Sequence, residues 1–512
     1  MNYAVKTDRV CTAGVIYEDS TEQTVDADLA LPDYCPDIRK ILKCCIEPQI
    51  DSRNIVGDRL AVAGSSLVRV IYIDAIKNSV RCAEQSYPFE ITANLPDTPQ
   101  SSVIATDIRV SYLNCRALSP RRLNIHGAFT VSVRVTDRSE QHVCTHIKGE
   151  DIQQKKLSVE YSSLRGLTQQ QFSVTEALER SQSTPAVQSV VRSDIRAVSR
   201  GNSFVSGKLM YKGELLVKLL YISDLDSGKL ETLEYNIPFS QVIAVEGAGE
   251  KSELSVSVEV MNSSVTLRTE IGFDDPLPVL SAKLCVTVFS YEKQDTMLVT
   301  DCYSTAYTVQ TERIACTVPL LSSVVSESVV ERSNVDFTDA SVSKVIDVWC
   351  ERGAAVVEAV KGKAVLRGKY NICVLAQDSE GEVIYTERTM EYSRDLKQLG
   401  GASAELSGSV SAVCVSSGFR FCSEKRVEVR AELLVTGELY ELTKVSSVSG
   451  VTADENAPCA REDASLILYY ARKGEDIWSI AREYATSADR VRAENDLTED
   501  ILARDMMIML PI

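Results

Sequence analysis

The segment His142-Val-Cys144-Thr-His146 carries the most metal-like chemistry in the chain. On a strand, residues two apart share a face, and two imidazoles with a thiolate suit zinc. A closed structural site needs a fourth ligand, and the neighbouring D-R-S-E-Q is turn-like; packing is the other reading, and no metal is assigned. Cys35, Cys44 and Cys45 lie around P-D-I-R-K-I-L, read as a first helix, where they serve as small buried hydrophobes. Asp33 and Asp37 flank Pro36; one caps that helix, or the two form a carboxylate pair. All three histidines fall between 126 and 146, with no nucleophile motif, no phosphate-cradling glycine loop and no H-E-x-x-H. The reading is therefore not an enzyme, with no cofactor.

The elements that hold these residues read as β-structure repeated three times. Gly64, Gly213 and Gly368 each precede an apolar strand, at intervals of 149 (213 minus 64) and 155 (368 minus 213). Val68, Val70 and Tyr72 correspond to Val217, Leu219 and Tyr221 and to Ile372, Val374 and Ala376. Pro36, Pro185 and Ala340 stand 28 residues before their glycines, an ungapped offset that marks one repeated unit. After each strand comes a turn (Asp74 to Asn78, Asp224 to Gly228, Asp378 to Gly381), then a second strand ending in Y-P-F, I-P-F or M-E-Y. Alternating patterns rich in Val, Thr and Ser predict antiparallel, sandwich-like units, and the largely apolar central strands predict cover on both faces. The anchor glycine is expected at a bulge or a close backbone approach. Divisions at 1–165, 166–310 and 311–445 follow, with a polar, aperiodic tether at 446–465 and a small module at 466–512.

In that last module, Lys473-Gly474-Glu475 reads as a turn, Asp476 as a cap, and Ile477, Ile480, Ala481 and Tyr484 as one face of a helix. Thr486 and Ser487 offer a second cap, Ala488 and Val491 a thin apolar face, Asn495-Asp496 a stop, and Ile508 with Leu510 a closing strand. The fold class is thus mainly β: three tandem antiparallel sandwich-like repeats joined by a linker to a small βααβ module.

The chain of 512 residues carries a formal net charge of -17, with no cluster of Lys and Arg suited to phosphates, which argues against nucleic acid. No run approaches a membrane span and no signal peptide is read, and fifteen scattered cysteines suit a reducing compartment; the expectation is a cytoplasmic protein.

The G-E-D-I-W-S-I-A run, Asn495, Leu497 and the terminal L-P resemble a LysM domain, a module known for binding N-acetylglucosamine glycans. Ala485 stands where that family commonly has Gly, and Asp505-Met506 where it has Gly-Gln. The resemblance implies a site between two loops, 474–477 and 495–501, the second of them acidic. The candidate ligand- or partner-binding residues are Lys473, Gly474, Glu475, Asp476, Ile477 and Arg482 on the first side and Asn495, Asp496, Leu497 and Thr498 on the second. Trp478 and Tyr484 read as module core.

Three β units before a LysM-like tail, with D-L-A-L-P-D-Y-C-P-D-I near the start, are similar in architecture to spore-coat proteins built from the SPOCS domain, or DUF3794. That likeness implies a non-enzymatic scaffold in the mother cell at the forespore surface, docking a spore-coat morphogenetic ATPase-type protein through the tail. The alternative is a wall protein whose tail binds peptidoglycan or a chitin-like glycan; a hydrolase would need a carboxylate pair the sequence does not name.

Overall fold

The computed structural model describes residues 1–181, 183–269, 275–338, 340–399, 405–459 and 466–511. One pattern of six strands occurs three times. Unit one comprises β1 (Ala4–Ala30), β2 (Ile38–Val56), β3 (Arg59–Asp74), β4 (Val80–Asn94), β5 (Val103–Ser119) and β6 (Arg122–Lys148). Unit two comprises β7 (Ile152–Ala177), β8 (Ser189–Val205), β9 (Lys208–Asp224), β10 (Lys229–Ala244), β11 (Glu253–Arg268) and β12 (Leu277–Ser304). Unit three comprises β13 (Tyr307–Asp336), β14 (Val342–Val360), β15 (Lys363–Asp378), β16 (Val383–Gln398), β17 (Glu405–Ser423) and β18 (Arg426–Pro458).

Within each unit the second, third and fourth strands form one three-stranded antiparallel sheet; the first, sixth and fifth form another, with the sixth central. A separate apolar cluster fills each unit between its sheets.

The central strand of the first sheet shows why both of its faces are apolar. Val68, Val70 and Tyr72 point into the core of unit one, while Ile71 and Ile73 point the other way. There they meet Leu220 and Ile222 of unit two and Cys373 and Leu375 of unit three in one shared cluster. The three central strands thus cover one another, and each fully buried aliphatic side chain contributes about 1.5–3 kcal/mol. Charges ring this junction. Lys218 Nζ lies 2.6 Å from Asp347, Lys43 Nζ lies 2.6 Å from Glu387, and Arg192 stacks over the Trp349 ring at 4.4 Å. The far ends of the long pairs β1/β6, β7/β12 and β13/β18 pack together in smaller clusters drawn from all three units. The chain closes on itself there, with Tyr3 N donating to Val451 O at 3.1 Å.

The anchor glycines sit at a close approach. Gly64 pairs across with Phe89 and Gly213 with Phe239, and a Cβ on Gly213 would lie 2.3 Å from the Phe239 ring. The strands run on past Y-P-F and I-P-F, to Asn94 and Ala244, so the aromatic of each motif lies mid-strand over the bare glycine backbone.

Three expectations are corrected. No helix follows Pro36: P-D-I-R-K-I-L opens β2, and Asp37 accepts from Arg121 Nη1 at 2.9 Å instead of capping a helix. Register shifts between Ile38 and Lys40 and between Ile41 and Lys43 break the two-residue alternation and imitate helical spacing. Divisions at 165/166 and 310/311 fall inside β7 and β13, because the long first strand of each unit begins well before its apolar core. Residues 446–458 are not a tether but the end of β18, paired to β13 as far as Tyr307↔Pro458; small polar residues suit a narrow two-stranded ribbon. Cys459 follows, its N–H donating to Ala306 O at 2.9 Å, and residues 460–465 of that stretch lie outside the described residues.

Candidate functional site in the C-terminal module

The module follows the βααβ order: β19 (Leu466–Ala471), α1 (Ile477–Glu483), α2 (Ala488–Glu494) and β20 (Met506–Pro511), with β19 and β20 antiparallel. Asp476 is the N-cap of α1, its carboxylate accepting from Trp478 N at 3.3 Å. Ile477, Ile480 and Ala481 bury one face of α1, and Ala488 and Val491 one face of α2, against Ile508 and Leu510.

The two expected loops lie side by side. Ile477 N donates to Asp500 O at 2.8 Å, Leu502 N to Glu475 O at 3.0 Å, and Gly474 N, at φ +90°, to Leu502 O at 2.8 Å. Several candidate residues are consumed in holding them. Ile477 is wholly buried. The Asn495 amide donates to Val491 O and Met509 O, both at 2.8 Å, and accepts from Met509 N at 2.7 Å, tying α2 to β20. Glu475 accepts from Tyr469 Oη at 3.3 Å and Arg472 N at 3.2 Å. Leu497 is half-buried against the module core. Lys473, Gly474, Asp496 and Thr498 are exposed; Lys473 N donates to Asp505 at 2.7 Å, so the residue replacing the usual glycine closes the turn.

The helix-one side faces unit two. Trp478 Nε1 donates to Asp301 at 2.9 Å, its ring meets Tyr303 edge-on at 4.8 Å, and Tyr303 Oη donates to Thr486 O at 2.8 Å. Arg482 pairs with Asp301 at 3.1 Å and Asp476 with Lys155 at 3.3 Å. Trp478 is therefore a joint between module and unit, whereas Tyr484 packs edge-on against Tyr469 within the module. Sequence reasoning missed this seat because Lys155, Asp301 and Tyr303 lie far away in the chain.

It also missed the outer face of the small sheet. Alternation turns Ile467, Tyr469 and Ala471 toward the helices, so Leu466, Leu468 and Tyr470 point outward beside Met507 and Met509. Leu468 pairs with Met509 and Tyr470 with Met507, and Leu468 and Tyr470 are each 62% exposed. A one-sided sheet ordinarily turns polar residues outward. The signal was legible as an unbroken apolar run, L-I-L-Y-Y facing M-M-I-M-L.

The histidine cluster does not converge. A register shift at Lys6/Thr7 leaves Thr145 unpaired, so Cys144 turns into the core while His142 and His146 stay exposed. Among the described residues, Glu351, Cys373 and Glu387 do bring three potential ligand atoms within 4.8 Å of one another. The Lys43 ammonium already pairs with both carboxylates, 2.6 Å from Glu387 and 3.3 Å from Glu351. Burial, then Glu351, push the Cys373 thiol up to about 12, away from the thiolate a metal needs.

No curated protein and no solved structure matches the chain. No helix among the described residues is long and apolar enough to cross a membrane. Two stretches match the family described as SipL, SPOCS domain, residues 37–118 and 186–268. They span β2 to β5 and β8 to β11, the same four strands of successive units, and unit three repeats that strand order. The first two units thus each contain a stretch similar to the SPOCS domain of the SipL family.

Proposed function

We propose that this protein is a non-enzymatic scaffold of spore-envelope assembly that docks a morphogenetic ATPase-type protein of the coat through its C-terminal module. The SPOCS match supports a sporulation setting. The observation that carries the docking role is the outer face of β19 and β20, a row of Leu466, Leu468, Tyr470, Met507 and Met509 open to solvent. Contiguous exposed apolar surface of this kind marks protein interaction sites. The helix-one face is a weaker candidate, since Arg482, Asp476 and Trp478 are engaged with unit two.

The test is co-purification of the full-length chain with coat proteins from sporulating cells. Leu468→Glu and Met507→Glu should each reduce recovery of the ATPase at least tenfold while the melting curve stays in place. Undiminished recovery with both variants overturns the assignment of this face. A second reading, glycan binding, is supported by the adjacency of loops 474–477 and 495–501. Retention on purified peptidoglycan that survives Leu468→Glu but is lost on removing 466–512, together with no coat protein recovered, would replace the scaffold reading.

A further inference from the structure

Fifteen cysteines are distributed along the chain, and two pairs of them face a common core from opposite sheets of a sandwich. In unit one, Cys44 on β2 and Cys115 on β5 belong to different sheets and pack against the same core, each thiol being the largest influence on the other's acidity. In unit three, Cys350 on β14 and Cys414 on β17 do the same. In each unit the two strands pack directly against each other.

The pairs are not one position copied by the repeat. Units one and three are offset by 304 (368 minus 64), so Cys350 stands where unit one has Ile46, and Cys44 where unit three has Val348. The register agrees: Cys44 pairs with Val70, but Cys350 with Ile372, the counterpart of Val68. Two different positions thus bring thiols together across the same inter-sheet gap. Unit two has Ser193 and Ile195 paired with Leu219 and Val217 at the corresponding places and carries no such pair.

We propose that Cys44 with Cys115 and Cys350 with Cys414 are oxidative cross-linking sites, each closing into a disulfide that staples the two sheets of its unit. The inference stands apart from the scaffold reading. In each pair the neighbouring thiol holds one sulfur, Cys115 or Cys414, below the usual thiol range and so favours it as the nucleophile. With hydrogen peroxide as oxidant, the Cys115 thiolate attacks one oxygen, the O–O bond breaks, and Cys115 becomes a sulfenic acid as hydroxide leaves and is protonated to water. Cys44 sulfur then attacks that sulfur; the S–S bond forms, the S–O bond breaks, and a second water departs with the Cys44 proton. Two thiols lose two electrons and one peroxide gains them. The same sequence applies to Cys414 and Cys350. The bonds would close loops spanning 71 residues (115 minus 44) and 64 residues (414 minus 350). Loops of that length are where a cross-link restricts the unfolded chain most.

The experiment treats the reduced full-length protein with a small excess of hydrogen peroxide, alkylates it under denaturing conditions and maps peptides by mass spectrometry. The expected result is two linked peptide pairs, 44/115 and 350/414, with alkylatable thiols falling from fifteen to eleven. The melting temperature should rise by roughly 5–15 °C and return on adding dithiothreitol. Cys115→Ser and Cys414→Ser should each abolish one linked pair and leave the other. Should a serine variant fail to fold, the peptide map of the wild-type chain decides alone. Mixed pairings, or oxidation confined to the exposed Cys422 with these four thiols still alkylated, would overturn the proposal.

Discussion

Trp478 and Asp301 join the C-terminal module to unit two: the indole Nε1 donates to the carboxylate at 2.9 Å, and the same carboxylate holds Arg482 and Arg313. A hydrogen bond to a charged acceptor contributes about 1.5–3 kcal/mol, less where water reaches it. Trp478→Phe keeps the ring on Tyr303 and removes only the donor. It should loosen the module by about 1 kcal/mol, seen as faster limited proteolysis within residues 466–511. Asp301→Ala removes three partners at once and should go further. Unchanged proteolysis and X-ray scattering in both variants would show that the seat rests on other contacts.

Ala485 follows α1 at φ +46°, in the left-handed region where a Cβ crowds the backbone. Glycine relieves that crowding but is more flexible when unfolded, so Ala485→Gly should stabilise the module by about 0.5–1 kcal/mol. Thermal melting of the full-length chain, followed by tryptophan fluorescence, reads this directly. A decrease in stability would mean that the Ala485 methyl contributes packing worth more than the strain.

Gly213 leaves room for the Phe239 ring, which occupies the space a Cβ would need. Gly213→Ala should cost about 1–3 kcal/mol through overpacking. Because the clash is with one side chain, the penalty should shrink by at least half when measured in a Phe239→Leu background. Additive effects of the two substitutions in urea melts would rule out this pairing as the reason for the glycine.

Much of this was readable in the chain, and the reason is the repeat. Residues two apart on β3, β9 and β15 share chemistry, so Val68, Val70 and Tyr72 could be aligned with their counterparts before any pairing was known. Apolar residues on the opposite face of those strands implied a cover, but not which one: Ile71, Leu220 and Cys373 meet only because three separate units fold onto one another. Strand β2 was misread because its bulges displace Ile41 and Leu42 from a two-residue rhythm. In the candidate site, the local cap at Asp476 was legible from neighbouring residues, whereas the Asp301 contact depends on a partner 177 positions away.

The junction of units two and three supplies the last prediction. Asp347 is 3% exposed and lies 2.6 Å from Lys218 Nζ, which also donates to Val348 O at 2.9 Å. Burial raises the Asp347 carboxyl above the usual range even though Lys218 and Arg192 pull it down. The folded state therefore holds a proton on Asp347 at a pH where the unfolded chain has released it. Stability from this group is fully present below the ordinary aspartate value near 4 and declines as pH rises through the raised folded value. Asp347→Asn should flatten that decline in urea melts taken across mildly acidic pH. Asp347→Ala should instead cost about 1–3 kcal/mol by leaving Lys218 without its carboxylate, tempered because the lysine still reaches water. If units two and three unfold together through the shared apolar cluster, Asp347→Ala will move a single transition. Two separate transitions in the wild-type chain would show that this contact docks independently stable units, and the penalty would then appear in the docking step alone.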